Sequence, residues 1–359
     1  MTIKVKASLG ELQAYKPGKP IEEVQQELGL ETITKLASNE NPFGCSAQVK
    51  VAATKALNET ALYPDGYAAE LRSELAAFYA VKPHQLVIGA GLDEVIQIVS
   101  RTLLVAGDNI VQATPTFSQY ALHANIEGVT VKEVPVNEAG EHDLDAMLAA
   151  VDANTKILWL CNPNNPTGTY FNAMALDRLL TAVPAEVLVI LDEAYAEYVV
   201  ADDFPDSMPL IERFDNVMVM RTFSKAYGIA ALRIGFAACS AAVCAKLNIV
   251  RLPFNTSRVA QAAAVAALAD QKFIADCQTA NRAGLAQWVN YLEAKGFAYY
   301  PSQANFIFFK IGQATAPVFD ALLAKGFIVR AGLRPEWLRV TIGSESENAG
   351  CIAALEAVL

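Results

Sequence analysis

The stretch KILWLCNPNNPTGTYFNAMALDRLLTAVPAEVLVILDEAY (156–195) decides the fold. It opens on the apolar run KILWLC (156–161), breaks at the turn-forming NPNNPTG (162–168) and closes on a second apolar run, EVLVIL (186–191), that ends in DEAY (192–195). Between the two runs, Leu176, Leu179, Leu180 and Val183 recur at the spacing of one helical face. Strand, helix, strand is the repeating unit of a parallel sheet, because parallel neighbours need a crossover between them.

The alternation extends outward in both directions. LVIG (86–89), NIVQA (109–113), VTVKEV (129–134), NVMVM (216–220) and RIGFAA (233–238) read as further strands, and Leu92, Val95, Ile96, Val99 and Leu103 form a second helical face. The expectation is an α/β protein: a large three-layer α/β/α domain with a mostly parallel sheet. Beyond Arg251 the pattern changes to a long helical stretch and then shorter elements, with strands near NFIFFK (305–310), FIVR (327–330) and LRVTIG (338–343). The predicted organisation is an N-terminal arm over 1–40 that contributes to the small domain, a large domain over 41–250 and a small α+β domain over 251–359.

Composition agrees with a globular chain of about two domains. The 359 residues are 53% apolar and 18% charged, which excludes a disordered or fibrous chain. The net charge of −10 disfavours a nucleic-acid partner, which needs a concentrated basic surface. It does not exclude one small anion pocket. The six cysteines show no C-x-x-C pair and read as free thiols of a reducing compartment. With neither an apolar signal core at the start nor a long apolar span, a cytoplasmic protein with no membrane partner is expected.

Three consecutive strands end in polar clusters: NPNNPTG, DEAY and RTFSK (221–225). Ligands of open α/β sheets bind outside the carboxyl ends of the strands, so the clusters should converge on one crevice. Several chemistries drop out. No G-x-x-x-x-G-K-[ST] loop accompanies the acidic strand end, and neither G-x-S-x-G nor H-E-x-x-H occurs. His84, His123 and His142 stand in no metal-ligand context, so no metal site is expected. GAGLDE (89–94), a small-residue turn opening a helix, suits one phosphate, although Asp93 and Glu94 also fit as first-turn acids serving only the helix. Lys225 is open to two readings, a solvated loop charge or an amine for an aldehyde cofactor. Asp192 is likewise either a cap or the carboxylate facing a pyridinium nitrogen.

Taken in order, PNNPTG, LDEAY and TFSKAYGIAALRIG resemble the pyridoxal-phosphate aminotransferases of the aspartate-aminotransferase-like fold. Within them, YKPGKP (15–20), SNENPFG (38–44), LYPDG (62–66), GAGLDE and ANFIFF (304–309) are most similar to the histidinol-phosphate aminotransferase family. Two positions depart from the family pattern: Ala231 stands where glycine is common, and Phe117 where tyrosine is frequent.

The resemblance implies roles for named residues. Lys225 would be the catalytic lysine, bonded to the aldehyde of pyridoxal 5'-phosphate until a substrate amine displaces it, and then the base at the substrate Cα. Asp192 would face the pyridine nitrogen, Asn165 and Tyr195 would hydrogen-bond the phenolic oxygen, and Phe117 would stack on the ring. The phosphate would meet backbone N–H groups around Gly91, Leu92 and Asp93, with Thr222, Ser224 and Arg233 completing the cradle. Tyr63 would reach the phosphate of the opposite subunit, which implies a homodimer. Tyr15, Arg330 and Arg339 would bind the substrate, with the arm folding over it. The implied activity is transfer of the amino group of L-histidinol phosphate to 2-oxoglutarate by ping-pong kinetics. An aromatic amino-acid aminotransferase of the same architecture is the alternative, since imidazole and phenyl both want flat apolar walls, and a non-catalytic ligand-binding relative is a more distant one.

Overall fold

Strands buried on both faces carry apolar side chains at every position, and the pleat sends alternate ones to opposite sides. In the computed structural model, which describes residues 3–10, 12, 14 and 20–359, this pattern builds the central layer. After the two-residue β1 (Thr34–Lys35) come β2 (Leu86–Gly89), β3 (Asn109–Thr114), β4 (Thr130–Pro135), β5 (Thr155–Cys161), β6 (Leu188–Asp192), β7 (Val217–Thr222) and β8 (Gly235–Cys239). The last seven form one sheet in the order β2-β8-β7-β6-β5-β3-β4. β4, β3, β5, β6 and β7 pair in parallel, while β8 is antiparallel to both its neighbours.

The alternation sorts the core into two halves. Leu158, Leu160, Val189, Leu191, Val217 and Val219 face one way, into a cluster with residues of the helices Ala69–Tyr79, Ala173–Ala182 and Arg258–Ala269. Ile157, Trp159, Ile190, Met218 and Met220 face the other, against the helices Leu92–Leu103, Gln119–Ile126 and Ala241–Val250. A helical layer on each face of a mostly parallel sheet is the expected three-layer arrangement.

The second unit contains β9 (Tyr299–Tyr300), β10 (Phe306–Lys310), β11 (Phe327–Ile328), β12 (Arg330–Arg334) and β13 (Trp337–Thr341). Four of these form an antiparallel sheet in the order β12-β13-β10-β9. Leu285, Trp288 and Leu292 of the long helix Gln271–Lys295 and Cys351 and Leu355 of the last helix, Glu345–Glu356, share a core with it, and Leu36 joins them.

Two features differ from the sequence reading. FIVR is not one strand: Phe327 and Ile328 pair in parallel with Thr34 and Lys35, whereas Arg330 pairs antiparallel with Arg339. The apolar run changes partner at Val329. The helix Arg258–Ala269, expected beyond the boundary at 250/251, packs with the large sheet's core instead. Its buried Ala260, Ala263, Ala264 and Ala267 keep one face thin enough for close approach to the helix Ala47–Ala56. Among the described residues no helix is long and apolar enough to cross a membrane, and all six cysteines are free.

Candidate active site

The carboxyl ends of β3, β5, β6 and β7 and the hairpin of β12 and β13 surround one cavity of about 220 Å³. Of the residues singled out from the sequence, it gathers Leu92, Asp93, Phe117, Asn165, Asp192, Tyr195, Thr222, Ser224, Lys225, Arg233, Arg330 and Arg339. Tyr15 lies outside the described residues. Tyr63 is not in the cavity: its side chain is 78% exposed and stacked on Phe254, with ring centroids 4.7 Å apart.

Asp192 ends β6 and is buried. Its Oδ2 accepts from the Tyr120 hydroxyl at 2.5 Å and its Oδ1 from the Ala194 N–H at 3.2 Å, and no cation among the described residues pairs with it. Burial pushes its carboxyl up to about 6, against the lowering effect of those two donors. Lys225 follows β7 by three residues. Its amine donates to the Ser38 carbonyl at 3.0 Å and to no carboxylate. Burial, with Arg339 nearby, brings this amine down to about 8. A buried carboxylate without a cation and a half-buried amine without a bonded carboxylate, lining one cavity, suit a ligand that brings both partners.

Tyr195 and Asn165 are primed as donors. The Tyr195 oxygen accepts from Asn39 Nδ2 at 2.9 Å, which leaves its own O–H to donate, and burial pushes the phenol up, so the proton stays on. Asn165 Oδ1 accepts from Arg339 at 2.5 Å, which turns the amide so that its NH2 is the free end. Arg339 also donates to the Ala37 carbonyl at 2.6 Å.

The anion cradle differs from the sequence reading in one residue. Gly91 does not offer its N–H, which donates back to the Gly89 carbonyl at 2.8 Å. The helix Leu92–Leu103 begins just after it, so the first-turn N–H groups of Leu92 and Asp93, which have no intrahelical acceptor, are the ones available. Gly91 serves by its shape. At φ 77° and ψ 175° it holds a conformation reserved to glycine, and a Cβ there would run into the Arg233 guanidinium. Arg233 in turn donates to Ser224 Oγ at 3.4 Å and pairs with Asp93 at 3.2 Å, while the Ser224 N–H donates to Thr222 Oγ1 at 3.1 Å. A helix start, two hydroxyls and one arginine converge there, as a phosphate requires.

On the other side, Arg330 and Arg339 occupy directly opposed positions of β12 and β13, and both line the cavity. Two guanidinium groups on neighbouring strands at one cavity wall suit an anion with several oxygens.

The chain matches the family model for aminotransferases of class I and II over residues 31–355. The chain belongs to the class I and II aminotransferases. Among curated relatives of this family, the histidinol-phosphate aminotransferase of Halalkalibacterium halodurans is 51% identical over 99% of this chain and 97% of its own length. That of Bacillus cytotoxicus is 54% identical over 98% and 96%. Among solved structures, histidinol-phosphate aminotransferase from Sinorhizobium meliloti in complex with pyridoxal-5'-phosphate superposes with a TM-score of 0.91 at 28% identity, covering 99% of this chain and 97% of that one. The residues of this aminotransferase cavity fit such a group: a carboxylate lacking a cation, an amine lacking an anion, two primed donors and a phosphate cradle stand in one enclosure.

Sequence reasoning missed Tyr120 and Asn39. Asn39 holds a left-handed backbone (φ 57°), and its side chain links Tyr195 to Thr341. SNENPFG was the signal for it, since asparagine is among the few residues at ease in that conformation. Nothing local marks Tyr120, which lies 72 residues before the carboxylate it touches.

Proposed function

We propose that this aminotransferase moves the amino group of L-histidinol phosphate to 2-oxoglutarate, giving imidazole-acetol phosphate and L-glutamate in histidine biosynthesis. The observation that carries this reading is the pairing of two anion sites in one cavity: the cradle of Ser224, Arg233 and the helix start, and the opposed Arg330 and Arg339. The first suits a cofactor phosphate. The second suits an anionic substrate group, a phosphate in one half-reaction and a carboxylate in the other. The relatives' activity at 51% and 54% identity supports the same substrates.

Pyridoxal 5'-phosphate, when bound, supplies an electron-accepting ring that stabilises charge at the substrate Cα and carries the amino group between half-reactions. Lys225 would hold it covalently. Once displaced, the Nζ, whose basicity burial has lowered toward neutrality, takes and returns the proton at the substrate Cα. Asp192 would keep a negative charge at the ring nitrogen, Asn165 and Tyr195 would donate to the phenolic oxygen, and Phe117 would cover one ring face. Thr222, Ser224, Arg233 and the Leu92 and Asp93 N–H groups would hold the phosphate. Arg330 and Arg339 would orient the substrate by its anion, and Tyr15 would cover it.

The arm through residue 40 and the chain beyond about Ile274 would form the small unit, which carries both substrate arginines. We further infer a homodimer in the cytoplasm. Tyr63, Leu62, Leu252 and Phe254 are exposed apolar groups outside the cavity, as expected if Tyr63 reaches the phosphate of a second copy. Six free thiols accord with a reducing compartment.

The test is glutamate production by the purified, pyridoxal-phosphate-loaded chain. It should exceed, with histidinol phosphate and 2-oxoglutarate, what phenylalanine and 2-oxoglutarate give. A clear preference for phenylalanine would overturn the assignment in favour of an aromatic amino-acid aminotransferase.

A further inference from the structure

Tyr120 is fully buried, so its hydroxyl must find a partner inside the protein. A backbone carbonyl would serve if the residue were only a core filler. Instead the hydroxyl donates to Asp192 at 2.5 Å, and the ring is fixed on its other sides. It stacks on Trp159 with centroids 4.3 Å apart and planes 8° from parallel, and it meets Phe117 edge-on at 5.6 Å. Tyr120 does not line the cavity, yet it touches two residues that do, one proposed to face the ring edge and one the ring face.

We infer that Tyr120 is a positioning residue: its hydroxyl, locked by the Trp159 stack, fixes the Asp192 carboxylate in orientation and charge toward the ring nitrogen of pyridoxal phosphate. The inference rests on the proposed role of Asp192. Three physical points carry it. A buried carboxylate with no cation tends to pick up a proton, and a short charged hydrogen bond opposes that. Burial and the facing carboxylate both hold the Tyr120 phenol up, so the group remains a donor. Finally, Asp192 has a second anchor in the Ala194 N–H, and two donors on two oxygens set the plane of the carboxylate.

The experiment compares two ligands on the full chain freed of cofactor: pyridoxal 5'-phosphate and its analogue with a C–H in place of the ring nitrogen. Dissociation constants come from fluorescence titration, for the unsubstituted chain, Tyr120→Phe, Asp192→Asn and the double variant. The unsubstituted chain should prefer the nitrogen ligand. Tyr120→Phe keeps the stacked ring and should weaken pyridoxal phosphate about tenfold, the worth of a charged hydrogen bond, while leaving the carbon analogue unchanged. In the Asp192→Asn background the same substitution should do nothing further to either ligand.

Equal weakening of both ligands, or a Tyr120→Phe chain that no longer melts cooperatively, would make the hydroxyl merely structural and overturn the inference. So would unchanged affinity for pyridoxal phosphate. Failure of the underlying reading looks different: the unsubstituted chain would then bind neither ligand, or bind both equally well.

Discussion

Gly91→Ala tests the anion cradle at its tightest point. The residue sits at φ 77° and ψ 175°, where a side chain costs about 1–3 kcal/mol of backbone strain. The added methyl also meets the end of Arg233, a flexible group that can swing away, so the steric part is relieved by displacing the arginine rather than by breaking the fold. The displaced guanidinium leaves Ser224 and the space where a phosphate would lie. Losing one charged hydrogen-bonding partner of a phosphate is worth about 1.5–3 kcal/mol, or roughly ten- to a hundredfold in affinity. Two effects are therefore expected together: a cofactor-free melting temperature lower by a few degrees, measured by calorimetry, and a dissociation constant for pyridoxal 5'-phosphate at least about tenfold higher, measured by titration. Gly296→Ala is the control, because that residue is also left-handed, at φ 70°, but an added Cβ there meets nothing. It should cost stability and leave cofactor affinity alone. If Gly91→Ala loses stability but keeps full affinity, Arg233 is not part of the phosphate site and the cradle is wrongly built.

Three further outcomes follow from the geometry. Because burial lowers the Lys225 amine to about 8 and only the neutral amine attacks an aldehyde, the rate at which the cofactor-free chain captures pyridoxal phosphate should rise as pH increases through about 8; a flat rate from pH 6.5 to 9 refutes this. Asp192→Asn should stabilise the cofactor-free chain by about 1–3 kcal/mol at pH 7 while weakening cofactor binding. The sign comes from its raised carboxyl: between the unfolded value near 3.8 and the folded value of about 6 the native state binds the extra proton, so the chain loses stability as pH rises through that window, and the variant's advantage should vanish near pH 4 in urea titrations. Arg330→Ala and Arg339→Ala should each raise KM for both substrates, and Arg339→Ala should also lower the melting temperature, since it strips donors from Asn165 and the Ala37 carbonyl.

The large sheet was legible because burial on both faces writes itself into sequence as unbroken apolar runs, as in EVLVIL, and because the strand ends that collect polar residues share one edge. Choice of partner is not written locally. FIVR reads as one strand, but Val329 is where pairing passes from the arm to β13. The alanines of Arg258–Ala269 announce a close helix contact without saying with which helix, so the change of composition at Arg251 does not by itself fix where the second unit begins. The motif residues that line the cavity were legible, and Tyr120, which bonds one of them, was not. Tyr120 hides in an apolar pattern, and GAGLDE suggested N–H groups at Gly91 that the turn itself consumes.

The cavity is assembled from features that each cost stability in the empty protein. Among the described residues Asp192 is buried with no cation paired to it, Lys225 is half-buried with no carboxylate bonded to it, and Gly91 holds a conformation closed to other residues. Neutral groups offset these costs only in part, since Asp192 accepts from Tyr120 and Ala194 and Lys225 donates to the Ser38 carbonyl; Arg221 shows fuller pairing, matched by Glu193 and Glu197 a few residues from Asp192. A chain selected for stability alone would pair the site's charges in the same way. A ligand bearing a ring nitrogen, a carbonyl and a phosphate would meet the carboxylate, the amine and the cradle in one space, and a substrate anion would meet the two arginines. Binding free energy is thereby concentrated where the chemistry takes place, and the stabilising effect of Asp192→Asn on the empty chain measures how much of it one residue holds in reserve.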